Sequence, residues 1–499
     1  MASSSNNKKT SIRRLTASLC QKPLLSCRQT LSIMVITGFM FNYMLRVNIT
    51  IALVDMVYNS SAINNNTTQI NSTIDTQNIT IPSNKFNWDK YATGHIIGSF
   101  FWGYILTELP GGRLSEIIGA RKVFGIGMVL ASIITLLMPI SCQAGYVLVS
   151  VLRALVGFCL GATFPATPPL AARWIPPLER SKFMSNLLAS ALGAAITMPV
   201  CGYLIANIGW ESVFYVTGTV GLLWSICWFV LVYDSPAQHP RISIEERQEI
   251  ESKINESLGN TTKPKNVPWR QLFTSLPVWS IVVAHTCSVF GYFTLVNQMP
   301  TFMNDVYNVS IKKNGFFSSF PYFGKYAMAV ISSWFADYLR QKGRYSTTAI
   351  RKAFTLFAIF VPGILMGIQA IWHINVSFSV AIFTLTLFAN GGVVGGYFSN
   401  GLDIAPNFSG TIMGIANTFS SLGGWLSAAV VAIITKHDNS IEQWSYIFWM
   451  LVAVYTFGAA FYTIFGTGEL QNWNSNKPTN PNKITEMQPL NKTKENIVA

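Results

Sequence analysis

Long apolar stretches alternate with short polar connections along almost the whole chain. Each stretch is about 20 residues long, which as a helix matches the thickness of the hydrocarbon core of a bilayer. The pattern therefore predicts an all-α, polytopic membrane protein with twelve transmembrane helices. We call these helices spans 1 to 12, and in chain order they cover residues 30–55, 91–110, 121–141, 146–170, 185–206, 212–233, 277–299, 315–336, 353–372, 377–399, 411–434 and 444–466.

A longer polar segment separates the first six spans from the last six. This arrangement predicts two pseudo-symmetric halves, the N-terminal half at 30–233 and the C-terminal half at 277–466. The segments 1–29 and 467–499 are predicted as cytoplasmic tails. The segment 57–88 is predicted as a loop within the N-terminal half, and 234–276 as a cytoplasmic linker between the halves.

Acidic and basic residues recur after the second span of each half, at Gly112–Lys122 and at Asp337–Arg340. The first run reads Gly-Arg-Leu-Ser-Glu-Ile-Ile-Gly-Ala-Arg-Lys, and with the two six-helix halves it resembles the major facilitator superfamily and its loop motif. A carboxylate at a helix end, paired with loop arginines, can hold one face of such a protein shut. We predict a gate formed by Gly112, Arg113, Glu116, Gly119, Arg121, Lys122, Asp337 and Arg340. An ordinary positively charged loop is the alternative.

Only 11% of the residues are charged, against about 25% in a typical soluble domain. The net charge of +14 comes largely from Lys and Arg in the N-terminal tail, the linker and the loops after spans 2, 4 and 8. Because such loops stay in the cytoplasm, both termini are predicted to be cytoplasmic. Since membrane topology accounts for the basic residues, we expect the lipid bilayer as a partner and no nucleic acid.

The loop between spans 1 and 2 carries a cluster of glycosylation sequons, which agrees with an outside or lumenal position. The acceptors are Asn59, Asn65, Asn66, Asn71 and Asn78. Asn255 also matches the pattern but lies in the predicted cytoplasmic linker, so we expect it to be unmodified.

Three cations, Arg46, Arg153 and Lys325, lie inside predicted spans. A charge at bilayer depth costs from about 3 to over 10 kcal/mol, so these residues predict a central site for a small anion. The planar guanidinium group suits carboxylate or phosphate. We expect Asn400 and Tyr292 to line the same site. The alternative is that a cation reaches the interface or pairs with a hidden acid.

Few residues suggest other chemistry. His285 and Lys325 could titrate and serve in ion coupling, and Glu108 is expected to be solvated or to support the gate. No nucleophile with a base, no phosphate loop and no His/Cys cluster is visible, so we predict a non-enzyme without metal or cofactor. A sodium ion or proton is expected only as a coupling ion.

Several short stretches resemble the anion:cation symporter family, which includes sialin, the vesicular glutamate transporters and the sodium-dependent phosphate cotransporters. By layout the chain is most similar to sialin and to the insect-type inorganic phosphate cotransporters. The resemblance implies transport of an anion coupled to protons or sodium, with Arg46 and Arg153 binding the anion. The stretches are Gly98–Tyr104, Pro110–Gly112, Thr163–Ala166, Trp174–Lys182, Leu402–Pro406, Gly414–Phe419 and Gly468–Trp473.

The chain departs from that family where proton-coupled members carry titratable groups. Leu160 and Val156 stand at the positions of span-4 glutamates, and Ile97 and Gly401 at those of two histidines. We therefore expect altered proton coupling, with sodium, membrane potential or a substituted group such as Lys325 in its place.

The leading prediction is a secondary active transporter of small anions such as phosphate, sialate or glutamate-like acids. An anion channel or uniporter and a non-transporting anion sensor are the alternatives. We expect a functional monomer in the plasma membrane or in a lysosomal or vesicular membrane.

Overall fold

The computed structural model describes residues 25–57, 85–88, 90–258, 267–307, 311–372, 375–434 and 440–474. This part of the chain is almost entirely helical, and its long helical segments match the twelve predicted spans. In order they are Cys27–Met56, Lys90–Ile118, Ala120–Ala144, Tyr146–Gly161 continued by Thr163–Trp174, Ser190–Asn207, Glu211–Leu231, Leu276–Tyr307, Ile311–Lys342, Thr347–Ile371, Val376–Asn390 continued by Tyr397–Ile404, Ser409–Ile434 and Ile441–Phe465.

The shorter elements lie in the connections. Arg180–Met184 precedes span 5, and the linker between the halves contains Ile244–Leu258 and Trp269–Thr274. Span 2 continues past Pro110 to Ile118, beyond the predicted end at residue 110. The proline lies within the helix, which membrane helices tolerate because neighbouring groups satisfy the freed backbone.

Nine helices in the described ranges are long and apolar enough to cross a membrane by length and composition. Spans 2, 8 and 11 fall outside this set, and each carries polar side chains that are buried in the bundle, including Glu108, Lys325 and Ser421. Large apolar side chains such as Trp102 and Leu223 are instead exposed on the outer surface. This inverted distribution is what a lipid environment favours.

Each half has its own aromatic core. In the N-terminal half, the ring centroids of Trp224 and Trp228 are 5.2 Å apart. In the C-terminal half, Phe302 lies 5.2 Å from Trp444. Such ring pairs bury large apolar areas and add a specific packing geometry. The aromatic pairs help each half to hold together as a separate packing unit.

Glycines bring spans 2 and 11, one from each half, into close contact. A side chain at Gly112 would overlap the carbonyl group of Gly410, and a Cβ atom at Gly414 would lie 2.7 Å from the Glu108 carbonyl oxygen. Small residues permit such approach of helix backbones. The contact between the halves therefore depends on these positions.

Candidate functional site

Arg46 of span 1 is surrounded by aromatic rings. The guanidinium carbon lies 5.0 Å from the ring centre of Phe101 and 5.6 Å from that of Tyr104, both on span 2. Phe293 of span 7, in the opposite half, lies at 5.4 Å. Ring faces attract a cation without neutralising it. Within the described ranges no carboxylate forms an ion pair with Arg46, so its charge is available to an anion.

Lys325 of span 8 is connected to this arginine through two tyrosines. The Lys325 ammonium group is 3.4 Å from the ring centre of Tyr292, and Tyr292 interacts electrostatically with Tyr43. Tyr43 in turn lies 5.3 Å from the Arg46 guanidinium carbon. The structure thus brings together three of the residues predicted to bind an anion, Arg46, Lys325 and Tyr292. We call Tyr43, Arg46, Tyr292, Phe293 and Lys325 the central cluster.

Arg153 of span 4 is buried and bound to the backbone of span 1. Its guanidinium group donates to the carbonyl oxygens of Leu45 at 3.2 Å and Arg46 at 2.8 Å. The same group lies 5.1 Å from the ring centre of Phe100. These contacts hold span 1 at the level of Arg46, so the geometry gives Arg153 a positioning role. Direct binding of an anion by Arg153 stays a prediction.

Asn400 lies apart from the central cluster. Its amide donates to the Tyr462 hydroxyl and to the Thr467 carbonyl, both at 2.8 Å. These bonds tie span 10 to the end of span 12 within the C-terminal half. The structure therefore does not bring Asn400 to Arg46 in this conformation, and its place in anion binding stays a prediction.

His285 of span 7 is also engaged inside the C-terminal half. One ring nitrogen lies 2.8 Å from the Asn417 side-chain oxygen, and the other lies 3.4 Å from the Tyr397 hydroxyl. The two partners lie on spans 11 and 10. These contacts describe a helix-bridging side chain, and the coupling role of His285 stays a prediction.

Glu116, in the predicted gate, joins the two halves. It forms an ion pair with Arg113 at 2.9 Å and accepts hydrogen bonds from the Thr411 backbone at 2.8 Å and the Thr411 hydroxyl at 3.0 Å. Thr411 lies at the start of span 11. A carboxylate that accepts charge-assisted bonds from both sides is a strong link between two helices.

Gly119, Arg121 and Lys122 of the same motif stay within the N-terminal half. Gly119 has φ = 103°, and any side chain there would overlap the Asp234 carboxylate. The Arg121 backbone donates to Asp234 at 2.9 Å, and its guanidinium carbon lies 4.4 Å from the Tyr233 ring centre. Lys122 is exposed. The motif thus fixes the end of span 6 as well as the gate.

The second motif forms a matching link. Asp337 accepts a hydrogen bond from the Lys182 backbone at 2.8 Å, and Arg340 donates to the Pro177 carbonyl oxygen at 2.8 Å. Arg340 also pairs with Asp403 at 3.0 Å. Both Asp337 and Arg340 therefore contact the opposite half or its connecting loop, as a gate requires.

Sequence analysis missed several residues of this link. Arg351 pairs with Asp403 at 2.7 Å and donates to the Ser181 hydroxyl at 2.8 Å, while Arg180 donates to the Leu402 carbonyl oxygen at 2.9 Å. In the sequence, Arg180 lies in the family-like stretch Trp174–Lys182 and Arg351 in the loop after span 8, but neither was predicted to belong to the gate. Their position at the ends of buried helices was the signal that could have identified them. The cross-half bonds of Glu116, Arg180, Asp337, Arg340 and Arg351 close the face that carries the basic loops, which we call the basic face.

A model of the Major Facilitator Superfamily matches residues 31–428. The chain is 37% identical to sialin from Homo sapiens over 453 residues, which cover 90% of this chain and 91% of sialin. It is 36% identical to vesicular glutamate transporter 3 from Danio rerio over 471 residues, 92% of this chain and 78% of the relative. The chain belongs to the Major Facilitator Superfamily. This membership confirms the resemblance, including the sialin and vesicular glutamate transporter branch.

The fold agrees with the assignment. A solved structure of the superfamily's proton:xylose symporter XylE, bound to 6-bromo-6-deoxy-D-glucose, aligns with a TM-score of 0.63 at 16% sequence identity. The alignment covers 88% of this chain and 96% of XylE. The alignment and the family match confirm the predicted fold. The family match and the transporter relatives confirm a membrane transporter rather than an enzyme. The predicted glycosylation sites Asn59, Asn65, Asn66, Asn71 and Asn78 lie outside the described residues.

Proposed function

We propose that this protein is a secondary active transporter of small organic or inorganic anions that works by alternating access. The observation that carries the proposal is Arg46, a cation at membrane depth that is surrounded by rings and forms no ion pair with a carboxylate in the described ranges. Such a charge is costly unless a ligand uses it. The sialin and vesicular glutamate transporter relatives support the same class of substrate.

The composition of the central cluster limits the substrate. The Arg46 guanidinium group and the Lys325 ammonium group suit a carboxylate or phosphate group. The rings of Tyr43 from the N-terminal half and of Tyr292 and Phe293 from the C-terminal half provide apolar contact for an organic body. We expect phosphate, sialate or glutamate-like acids to be recognised through their anionic group.

A carrier is favoured over a channel because both gate motifs hold the basic face shut through bonds between the halves. Rocking of the halves would have to break these bonds to open that face. We propose cation-coupled symport, with sodium or a proton as the coupling ion. The coupling is expected to be atypical because Leu160 and Val156, both fully buried, replace the expected carboxylates.

We also propose a monomeric carrier in the plasma membrane or in a lysosomal or vesicular membrane, with both termini cytoplasmic. The positions of the basic loops support this orientation. A single polypeptide contains both halves and the whole central cluster, so a second copy is not required to form the site.

Uptake of labelled anions into proteoliposomes tests the proposal. Phosphate, sialate and glutamate are offered while pH gradient, sodium gradient and voltage are imposed one at a time. Arg46→Gln should lower uptake about 100-fold, because charge-assisted hydrogen bonds contribute about 1.5–3 kcal/mol. Arg46→Lys keeps the charge without the planar group, so its uptake should lie between that of the wild type and that of Arg46→Gln.

The matched control is Arg344→Gln, because Arg344 is exposed in the loop after span 8. This variant should take up the anion at the wild-type rate. If Arg46→Gln takes up the anion as fast as the wild type, the anion does not bind at Arg46. Currents that do not saturate with anion concentration would indicate a channel. Binding without flux under every gradient would indicate a sensor.

A further inference from the structure

A stripe of residues on span 2 connects the central cluster to the gate. Tyr104, Glu108, Gly112 and Glu116 are spaced four apart, so they share one face of the helix. Tyr104 lies near Arg46, while Glu116 is bonded to Thr411 of span 11. Glu108 is therefore placed between the predicted anion-binding residue and the gate.

Glu108 is 1% exposed at the contact between the two halves. Its Oε1 atom accepts a hydrogen bond from the Ser421 hydroxyl of span 11 at 3.0 Å. Its Oε2 atom has no hydrogen-bond partner among the described protein atoms. Glycine at 414 allows the span 11 backbone to pack directly against the Glu108 carbonyl group. The closed contact thus encloses a carboxyl group with one of its oxygens unpaired.

Few charged groups face this carboxyl group. Arg46 of span 1 interacts with it electrostatically, as does Tyr104 of its own helix, but no ion pair joins Glu108 to Arg46. Span 11 contributes the neutral hydroxyl of Ser421. On neighbouring spans 4 and 7, the side chains of Arg153 and His285 are bound to other partners.

Burial of an ionised carboxylate without a partner for each oxygen is unfavourable. A protonated carboxyl group avoids this cost, and it can still accept the bond from Ser421. The closed contact between spans 2 and 11 therefore favours the proton-bound form. Separation of the spans at the basic face would admit water and favour the ionised form.

We propose that Glu108 binds the coupling proton of this transporter, in place of the carboxylates missing at positions 156 and 160. The inference rests on the proposed anion transport and extends it to the coupling ion. Glu108 takes its proton from water while the basic face is closed and the site is open to the opposite side of the membrane. It returns to water when spans 2 and 11 separate at the basic face.

Arg46 links this proton to the anion. In the empty carrier the positive charge of Arg46 stabilises an ionised Glu108. A bound anion cancels that charge, so Glu108 then binds a proton more readily. Because linkage is reciprocal, the proton must strengthen anion binding by the same factor. Anion and proton would therefore cross together, which is symport.

Two measurements on the full-length protein in proteoliposomes separate coupling from transport. The first follows exchange of labelled anion against the same internal anion at equal pH. The second follows accumulation driven by an imposed pH difference with the voltage clamped. Glu108→Gln should lose accumulation by about 10-fold or more, while exchange stays measurable and loses its pH dependence. Glu108→Asp should recover part of the accumulation, and Glu442→Gln, an exposed control, should match the wild type.

Ser421→Ala removes only the hydroxyl donor. That donor stabilises the ionised carboxylate more than the neutral one, so its loss should extend coupled uptake toward higher pH. The half-maximal pH should rise by about half to one unit, the equivalent of one hydrogen bond. An unchanged pH profile would count against the proposal.

Three further results would overturn it. The first is wild-type accumulation by Glu108→Gln. The second is that Lys325→Met loses the pH response while Glu108→Gln keeps it, which would make Lys325 the proton carrier. The third is a wild-type protein that responds to sodium and not to pH, which would leave anion transport intact. A wild type that neither exchanges nor accumulates any anion would instead refute the proposed function itself, and this inference with it.

Discussion

At the residue scale, three arginines inside the helix bundle are stabilised in three different ways. Arg46 is surrounded by rings, Arg153 donates to backbone carbonyl groups, and Arg351 pairs with Asp403. Only the third is neutralised by an opposite charge. Since an uncompensated charge inside a protein is costly, the three environments imply three different responses to substitution.

Loss of the Asp403 carboxylate should strongly destabilise the fold. It pairs with both Arg340 and Arg351 while being almost fully buried. Asp403→Asn would leave two buried guanidinium groups without their carboxylate, so we expect the free energy of unfolding to fall by about 3–5 kcal/mol. Thermal unfolding in detergent measures this change when it is monitored by the labelling of two buried cysteines, Cys142 and Cys201, which become accessible on unfolding.

Asp55→Asn is the matched control, because Asp55 forms a partly exposed ion pair with Lys85 at 3.4 Å. Such pairs contribute about 0–1 kcal/mol. Equal losses of stability in the two variants would contradict the view that Asp403 neutralises the gate arginines.

At the scale of elements, spans 2 and 11 provide the contact on which closure depends. Gly112 meets the Gly410 backbone, and one turn away Glu108 meets Gly414. Further along the same face, Glu116 binds Thr411. Close backbone packing leaves no room for even a methyl group, so the closed state requires glycine at these positions.

Gly112→Ala should shift the protein toward the state that is open at the basic face. The added methyl group would overlap the Gly410 carbonyl, and overpacking of this kind costs about 1–3 kcal/mol. Spin labels at Lys122 and Arg344, which are exposed on opposite halves, should then report longer distances. The labels require a background without reactive native cysteines.

Gly98→Ala is the control on the same helix, since a Cβ atom at Gly98 meets no atom within 4 Å. This variant should keep the wild-type distance distribution. If both alanine variants or neither of them lengthen the distance, the glycine contact does not control closure.

For the whole molecule, the charge pattern makes a claim about orientation that glycosylation can test. The loop at 57–88 and the basic face are predicted to lie on opposite sides of the membrane. Attached glycans would therefore mark the loop and not the linker.

Replacement of Asn59, Asn65, Asn66, Asn71 and Asn78 by Gln should reduce the mobility shift that a glycosidase produces on the protein from a eukaryotic host. Asn255→Gln, in the predicted cytoplasmic linker, should leave the shift unchanged. A glycan on Asn255 would reverse the predicted orientation.

Hydropathy alone was sufficient to predict the helical membrane fold. In lipid each spanning segment must satisfy its own backbone hydrogen bonds and present apolar side chains to the bilayer. That requirement acts on every stretch separately, so it is visible in the linear sequence. The cost of charge in lipid likewise identified Arg46 and Lys325. The structure places both of them, with Tyr292, in one cluster between the halves.

The partners of the buried polar groups were decided only by the tertiary structure. Arg153 and Arg46 carry the same signal in the sequence, yet one holds a helix and the other remains available. Glu108 and Ser421 lie 313 positions apart and meet only because spans 2 and 11 pack through glycines. Which faces of two helices meet depends on the fit of all the surrounding side chains, and no local pattern contains that information.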